Sequence, residues 1–294
     1  MLITLLNIVI PVVALTGVGF VMGHRYRGRP DMAFINHANV TVFCPALVFS
    51  ALIANPVSIG EGWPLIAAAI LIVIVPGVIL YWLSPAGMSR RAFLVAGMFR
   101  NTGNVGIPLM VLAYGADLLG DIVLVFVVSN LLHFSLGLFI LSRGGSSWVW
   151  LRNPNVWAAV LGVACAPYAY LIPDFAITTL EMLGQVVIPL MLYGLGVRLS
   201  EGRITQVVTA LRINLIYLAV GAVCLPLIVW VLPLTPEWTR LIILSGMLPP
   251  AVLNYLLTEH YDMDAQTVAN VVLFGNVLAV ITVPAVVWVT LVWV

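Results

Sequence analysis

With 294 residues, 63% of them hydrophobic and 8% charged, and a mean hydropathy of +1.15, the chain has too little charge to cover a water-soluble surface. A net charge of +1 argues against nucleic acid as a partner. These values point to a membrane protein, whose apolar runs are to be measured against the roughly 20 residues that cross a hydrocarbon core.

Ten such runs succeed one another: 2–23, 33–53, 63–83, 92–115, 121–141, 154–171, 176–199, 206–232, 239–259 and 266–294. The first lacks a basic leader and a small-residue cleavage site, so it is expected to stay as a span. All 12 basic residues are Arg. Nine of them (Arg25, Arg27, Arg29, Arg90, Arg91, Arg143, Arg152, Arg198 and Arg203) fall on one side of the ten-span path. The positive-inside rule makes that side cytoplasmic, with both termini outside. Arg240 marks the opposite side, and Arg212 lies close enough to a span end to snorkel. Cys44, Cys165 and Cys224 sit inside apolar runs and read as small buried hydrophobes. Trp148, Trp150, Trp288 and Trp293 lie near span ends, where indole rings anchor at the interface.

The fourth run breaks its own pattern. Arg100, Asn101, Thr102, Gly103, Asn104, Gly106 and Pro108 stand in its middle, where a helix in hydrocarbon must satisfy its own backbone. Gly loosens the helix and Pro removes a donor. Arg100 adds a permanent charge, expected either to face a cavity or partner or to snorkel. A broken helix lining a binding site is the sharper expectation. The ninth run carries a second break at Leu248-Pro249-Pro250-Ala251, since two successive prolines cannot both sit in a helix interior. Half-helices beginning after Pro108 and Pro250 would present N-terminal ends to an anion.

The two halves also share landmarks. Pro45 pairs with Pro189 (189 − 45 = 144), Pro108 with Pro250 (250 − 108 = 142) and Asn130 with Asn276 (276 − 130 = 146). Five spans per half is odd, so residues 1–141 and 142–294 are expected to be inverted repeats.

The segments Asn101-Thr102-Gly103-Asn104-Val105-Gly106-Ile107-Pro108, Arg152-Asn153-Pro154-Asn155, Leu248-Pro249-Pro250-Ala251-Val252-Leu253-Asn254-Tyr255 and Glu259-His260-Tyr261-Asp262-Met263-Asp264, with the Asn276 helix, resemble the auxin efflux carrier family. That family includes plant PIN-type carriers and bacterial permeases for small carboxylates. The resemblance implies an all-α integral membrane protein of ten transmembrane helices in two inverted five-helix repeats. Spans 1, 2, 6 and 7 would form a scaffold that makes a homodimer, and spans 3–5 and 8–10 a mobile transport domain. Broken helices 4 and 9 would cross, with Pro108, Pro250 and neighbouring polar groups carrying the substrate. Only about a dozen residues join spans 5 and 6, so the long regulatory loop of large plant members is not expected.

The expected function is therefore a secondary transporter of small organic anions, such as carboxylates or auxin-like acids, by elevator-type alternating access. The expected substrate-binding residues are Arg100, Asn101, Thr102, Asn104, Pro108, Asn130, Pro249, Pro250, Asn254 and Asn276. A passive channel is the alternative, though it would want a polar stripe through the bilayer rather than two mid-membrane breaks. Expected partners are the anion, membrane lipid, a second copy of the chain and a coupling ion, either proton or sodium. His133, one turn after Asn130, is a candidate proton carrier or a packing histidine. No nucleophile–base set, metal-ligand spacing or phosphate loop is legible, so neither an enzyme nor a cofactor is expected.

Overall fold

The computed structural model describes residues 2–26, 32–56, 59–85, 87–142, 151–202 and 205–294. Arg27, Arg29, Arg143, Arg203, Trp148 and Trp150 lie outside the described residues. In chain order the helices are α1 (Leu2–Arg25), α2 (Met32–Ala38), α3 (Cys44–Ala54), α4 (Ile59–Trp82), α5 (Arg90–Met98) and α6 (Ile107–Tyr114). Next come α7 (Leu119–Leu132), α8 (Leu138–Leu141), α9 (Pro154–Cys165), α10 (Asp174–Gln185) and α11 (Val187–Glu201). The last are α12 (Val207–Val231), α13 (Pro236–Met247), α14 (Val252–His260) and α15 (Ala265–Trp293). Among the described residues there is no strand; the one extended pairing is an isolated bridge between Arg100 and Pro250.

Among the described residues, six helical stretches are long and apolar enough to cross a membrane: Phe34–Ala54, Gly60–Trp82, Ala116–Leu141, Asp174–Glu201, Val207–Val231 and Ala265–Trp293. Ile10–Arg25 and Thr102–Tyr114 are shorter apolar helices. The runs expected at 92–115 and 239–259 are each divided into two helical pieces. In the first, the helix stops at Met98 and resumes as a π-helical turn at Thr102–Gly106, before Pro108. The interruption therefore lies earlier than the proline suggests. Pro108 sits in the first turn of α6, where a missing N–H is tolerated and a fixed φ suits the helix.

The chain divides into two compact units, each drawing on both halves of the sequence. One comprises 1–63, 103–127 and 149–201; the other comprises 64–102, 128–148 and 202–294. In the first unit α1 and α11 pack along their small residues. A Cβ on Gly19 would run into the Tyr193 carbonyl, one on Gly196 into the Thr16 carbonyl, and one on Gly23 into Ser200. Lipid gives no hydrophobic drive between helices, so close backbone approach at Gly supplies the van der Waals contact instead. The same unit packs α3 against α9 and α10, with Gly162 facing Leu52 and Phe49, and Gly184 facing Leu47. The start of α9 is fixed by Asn153, whose Oδ1 accepts the Asn155 N–H at 3.0 Å, with Pro154 at the first position.

In the second unit α15 is the central helix, touching α5, α12, α13 and α14. Phe93, Leu80 and Tyr217 fill the core beside α5, where Gly97 leaves room for the Tyr217 ring. Polar side chains tie the loops at the ends of these helices. Asn270 Oδ1 accepts the N–H groups of Thr205 and Gln206, at 2.6 and 3.2 Å, at the entrance to α12. Asp264 Oδ2 accepts the Ser89 N–H at 2.7 Å, at the entrance to α5. Asp262 and Asp264 both take the left-handed conformation, φ 53° and 46°, a turn that Asp tolerates better than most residues.

Candidate functional site: two interrupted helices joined at their breaks

Both interruptions that bear the expected polar residues meet within the second unit. Leu248 leaves α13 with φ −61° and ψ 155°, and Ala251 enters α14 with φ −66° and ψ 142°. Each proline pushes its predecessor out of the helical region, which makes Leu248 and Pro249 extended-type residues by sequence alone. Phe99, which ends α5, is extended as well, with φ −101° and ψ 109°.

Two such segments can pair. The Asn101 N–H donates to the Pro249 carbonyl at 2.8 Å, and the Ala251 N–H donates to the Phe99 carbonyl at 3.0 Å. Arg100 and Pro250 oppose each other between these bonds as an antiparallel pair. That is the non-hydrogen-bonded position of an antiparallel ladder, so the absent N–H of Pro250 costs nothing there.

Side chains then take up the carbonyls that the interrupted helices leave free. Asn254 Nδ2 donates to the Phe99 carbonyl at 2.9 Å and to the Ala96 carbonyl at 3.4 Å, at the end of α5. Arg100 performs the reciprocal task for α13: Nη1 donates to the Leu248 carbonyl at 3.4 Å, and Nη2 to the Tyr217 carbonyl at 3.2 Å. Asn276 reaches both breaks. Its Nδ2 donates to the Pro250 carbonyl at 3.3 Å and to the Val272 carbonyl at 2.8 Å, while its Oδ1 accepts from Asn101 Nδ2 at 3.0 Å. Fractional exposure is 8% at Arg100, 3% at Asn101, 4% at Asn276 and zero at Asn254, so these bonds lie away from solvent.

A family model described as membrane transport protein matches residues 139–288, 150 of the 294 residues. The chain belongs to this family. It is the auxin efflux carrier family anticipated from the break motifs, and the match covers the second break but not the first. No curated protein matches the chain. The membrane transport protein thus has the apolar helices of an integral membrane protein, with a polar junction among them.

Of the expected substrate residues, Arg100, Asn101, Pro249, Pro250, Asn254 and Asn276 are joined by the bonds above. Thr102 adjoins them, its N–H donating to the Arg100 carbonyl at 2.8 Å. Asn130 is half-buried on α7, one turn before His133. Asn104 and Pro108 fall in the first unit, in the π-turn and in α6 respectively. Three participants were not anticipated from the sequence. Phe99 supplies a carbonyl to two donors and stacks face to face with His133, ring centroids 4.2 Å apart. Tyr217, wholly buried, offers its carbonyl to Arg100 while its hydroxyl donates to the Phe93 carbonyl at 2.7 Å. Asn214 Nδ2 donates to the Ala210 and Val271 carbonyls at 2.9 and 3.0 Å. The available signal was a polar Asn214–Tyr217 pair inside an apolar run, three residues apart on one helical face.

The junction is chemically one-sided. The buried side chains that reach across it are amides and a guanidinium, and all four carboxylates of the second unit (Glu237, Glu259, Asp262 and Asp264) are exposed. The Nδ2 donors of Asn101, Asn254 and Asn276 and both Nη groups of Arg100 are engaged by oxygens, and Asn254 Oδ1 is buried with no hydrogen-bond partner among the described residues.

Proposed function

We propose that this protein is a secondary carrier of small organic anions, such as carboxylates or auxin-like acids, working by elevator-type alternating access. The observation that carries the proposal is the pairing of Arg100 with Pro250, which binds two interrupted helices into one polar junction among apolar helices. Interrupted helices are the means by which carriers expose backbone polar groups to a substrate at membrane depth. Asn101, Thr102, Asn254 and Asn276 line that junction, with Pro249 and Pro250 shaping it. Asn130, Asn104 and Pro108 complete the substrate path in this reading, and Arg100 keeps it electropositive. The chain spans the membrane ten times as two inverted repeats, with both termini outside the cytoplasm. It works as a homodimer whose transport unit moves along the membrane normal.

The test is a thermal-shift screen of purified protein against mono- and dicarboxylates, followed by uptake of any hit into proteoliposomes. A ligand of the native state raises the melting temperature by mass action. Stabilisation by one carboxylate class, with saturable uptake of the same compound, is the expected result. Stabilisation by cations or neutral solutes only would remove the organic-anion assignment.

A further inference from the structure

Arg100 carries a positive charge at 8% exposure, and no carboxylate in its unit is buried with it. A charge at membrane depth is costly, so it requires compensation. It receives it from neutral oxygens. One is the carbonyl of Leu248, where α13 ends, and the other is the carbonyl of Tyr217, inside α12. The first lies at the negative end of a helix dipole. The Tyr217 ring adds its face, 5.7 Å from Arg100 Cζ.

Unwound carbonyls and half-helix C-terminal ends are the groups with which broken-helix carriers hold an exchangeable coupling cation. Here the carbonyl at the end of α13 is engaged by a cation belonging to the chain, which also reaches a carbonyl inside α12. We propose that Arg100 is a tethered cation seated in the carbonyl site at the end of α13, in the place of an exchangeable sodium ion, and that transport therefore runs without sodium. The sodium statement rests on the carrier reading above, whereas the seating of the guanidinium does not.

Both parts are tested on the full-length purified protein. Arg100→Ala removes a fragment equivalent to ethylguanidinium and leaves the carbonyls in place. The wild type is expected to melt at the same temperature in sodium chloride and choline chloride of equal ionic strength. Arg100→Ala is expected to melt lower and to regain at least half of the lost shift in millimolar ethylguanidinium, which leaves the wild type unmoved. Arg100→Lys, which keeps charge without the planar fork, is expected to melt between the two. A sodium-dependent rise in the wild-type melting temperature would overturn the proposal. So would a folded Arg100→Ala that ethylguanidinium does not stabilise beyond its effect on wild type. Should Arg100→Ala fail to fold, Arg100→Lys decides: a melting temperature raised by sodium, or equal to that of wild type, overturns the seating. Rescue by ethylguanidinium with no uptake of any carboxylate would instead defeat the anion-carrier reading and leave the tethered cation standing.

Discussion

Asn101 and Asn276 stand 175 residues apart in sequence, yet the amide nitrogen of one donates to the amide oxygen of the other at 3.0 Å. Through Asn276 the same contact continues to the Pro250 carbonyl, so one side chain spans both helix breaks. A buried amide that satisfies two interrupted backbones is a strut, and it also presents the junction's polarity. Interhelical hydrogen bonds in a bilayer average about 0.6 kcal/mol and reach about 1.7 kcal/mol.

Asn276→Leu should accordingly lower stability by about 1–3 kcal/mol, because it strands the Asn101 amide and the Pro250 carbonyl. The double variant with Asn101→Ala should cost less than the sum of the two single variants, since both remove one bond. Thermal unfolding of the four proteins in one detergent measures this coupling. Strict additivity would show the 3.0 Å contact to be energetically silent. Transport by Asn276→Leu is expected to be lost even where the folded protein survives.

Asn254 bonds two carbonyls at the end of α5 through its Nδ2. Asn254→Asp would replace the donor by an acceptor facing two carbonyls. A loss of about 2 kcal/mol or more follows from the stranded acceptors and the added buried charge. Asn254→Gln, which keeps the donor at a longer reach, should be milder. Comparable melting temperatures for the two would contradict the assignment of the amide as a carbonyl clamp.

The α1–α11 contact admits no side chain at Gly19 or Gly196. Gly196→Val should separate the helices and destabilise the first unit by more than the ~1–3 kcal/mol of ordinary overpacking, because the obstacle is backbone. Gly17, where an added Cβ would meet nothing within 4 Å, is the control. Gly17→Ala should melt within a degree or two of wild type. Alanine and valine both favour a helix over glycine, so equal losses at both positions would show that the close approach does not set the cost.

Glu237 lies exposed in the first turn of α13, outside the apolar run. Its own backbone N–H, the Thr235 hydroxyl and Arg240 hold its carboxyl below the usual range. A depressed folded value means that its stabilisation is present above the unfolded carboxylate value, about 4.3, and is lost as pH falls through the folded one. Glu237→Gln should therefore melt slightly below wild type at neutral pH and converge with it in acid, which flattens part of the acid limb of a stability–pH curve. An identical acid limb in both proteins would remove Glu237 from that dependence.

The proposed orientation, with both termini outside, rests on the Arg bias and is checked by impermeant thiol labelling in cells. Single cysteines at Asn55 and Ser89 should label from outside and only after permeabilisation, respectively, in a background lacking Cys44, Cys165 and Cys224. The reverse pattern would invert the assignment.

The helical character of the apolar runs was legible in the sequence because apolar run length and proline chemistry act locally, though among the described residues six stretches reach spanning length. A run of some 20 apolar residues has to be satisfied as a helix in hydrocarbon, and Pro249-Pro250 has to interrupt one, whatever surrounds them. The polar residues of the junction were legible for the same reason, since each is costly at depth unless it has a partner. Which partner was not legible. Pro108 marked a break by composition, yet the interruption lies at Phe99–Asn101, because a proline in the first turn of α6 leaves the preceding π-turn helical. Arg100 suggested a charge waiting for a ligand, and only the packing of α12 and α13 beside it brought the Tyr217 and Leu248 carbonyls to its nitrogens. Those oxygens are 117 and 148 residues away in sequence, beyond any periodicity, and they become partners only when helix packing closes the distance.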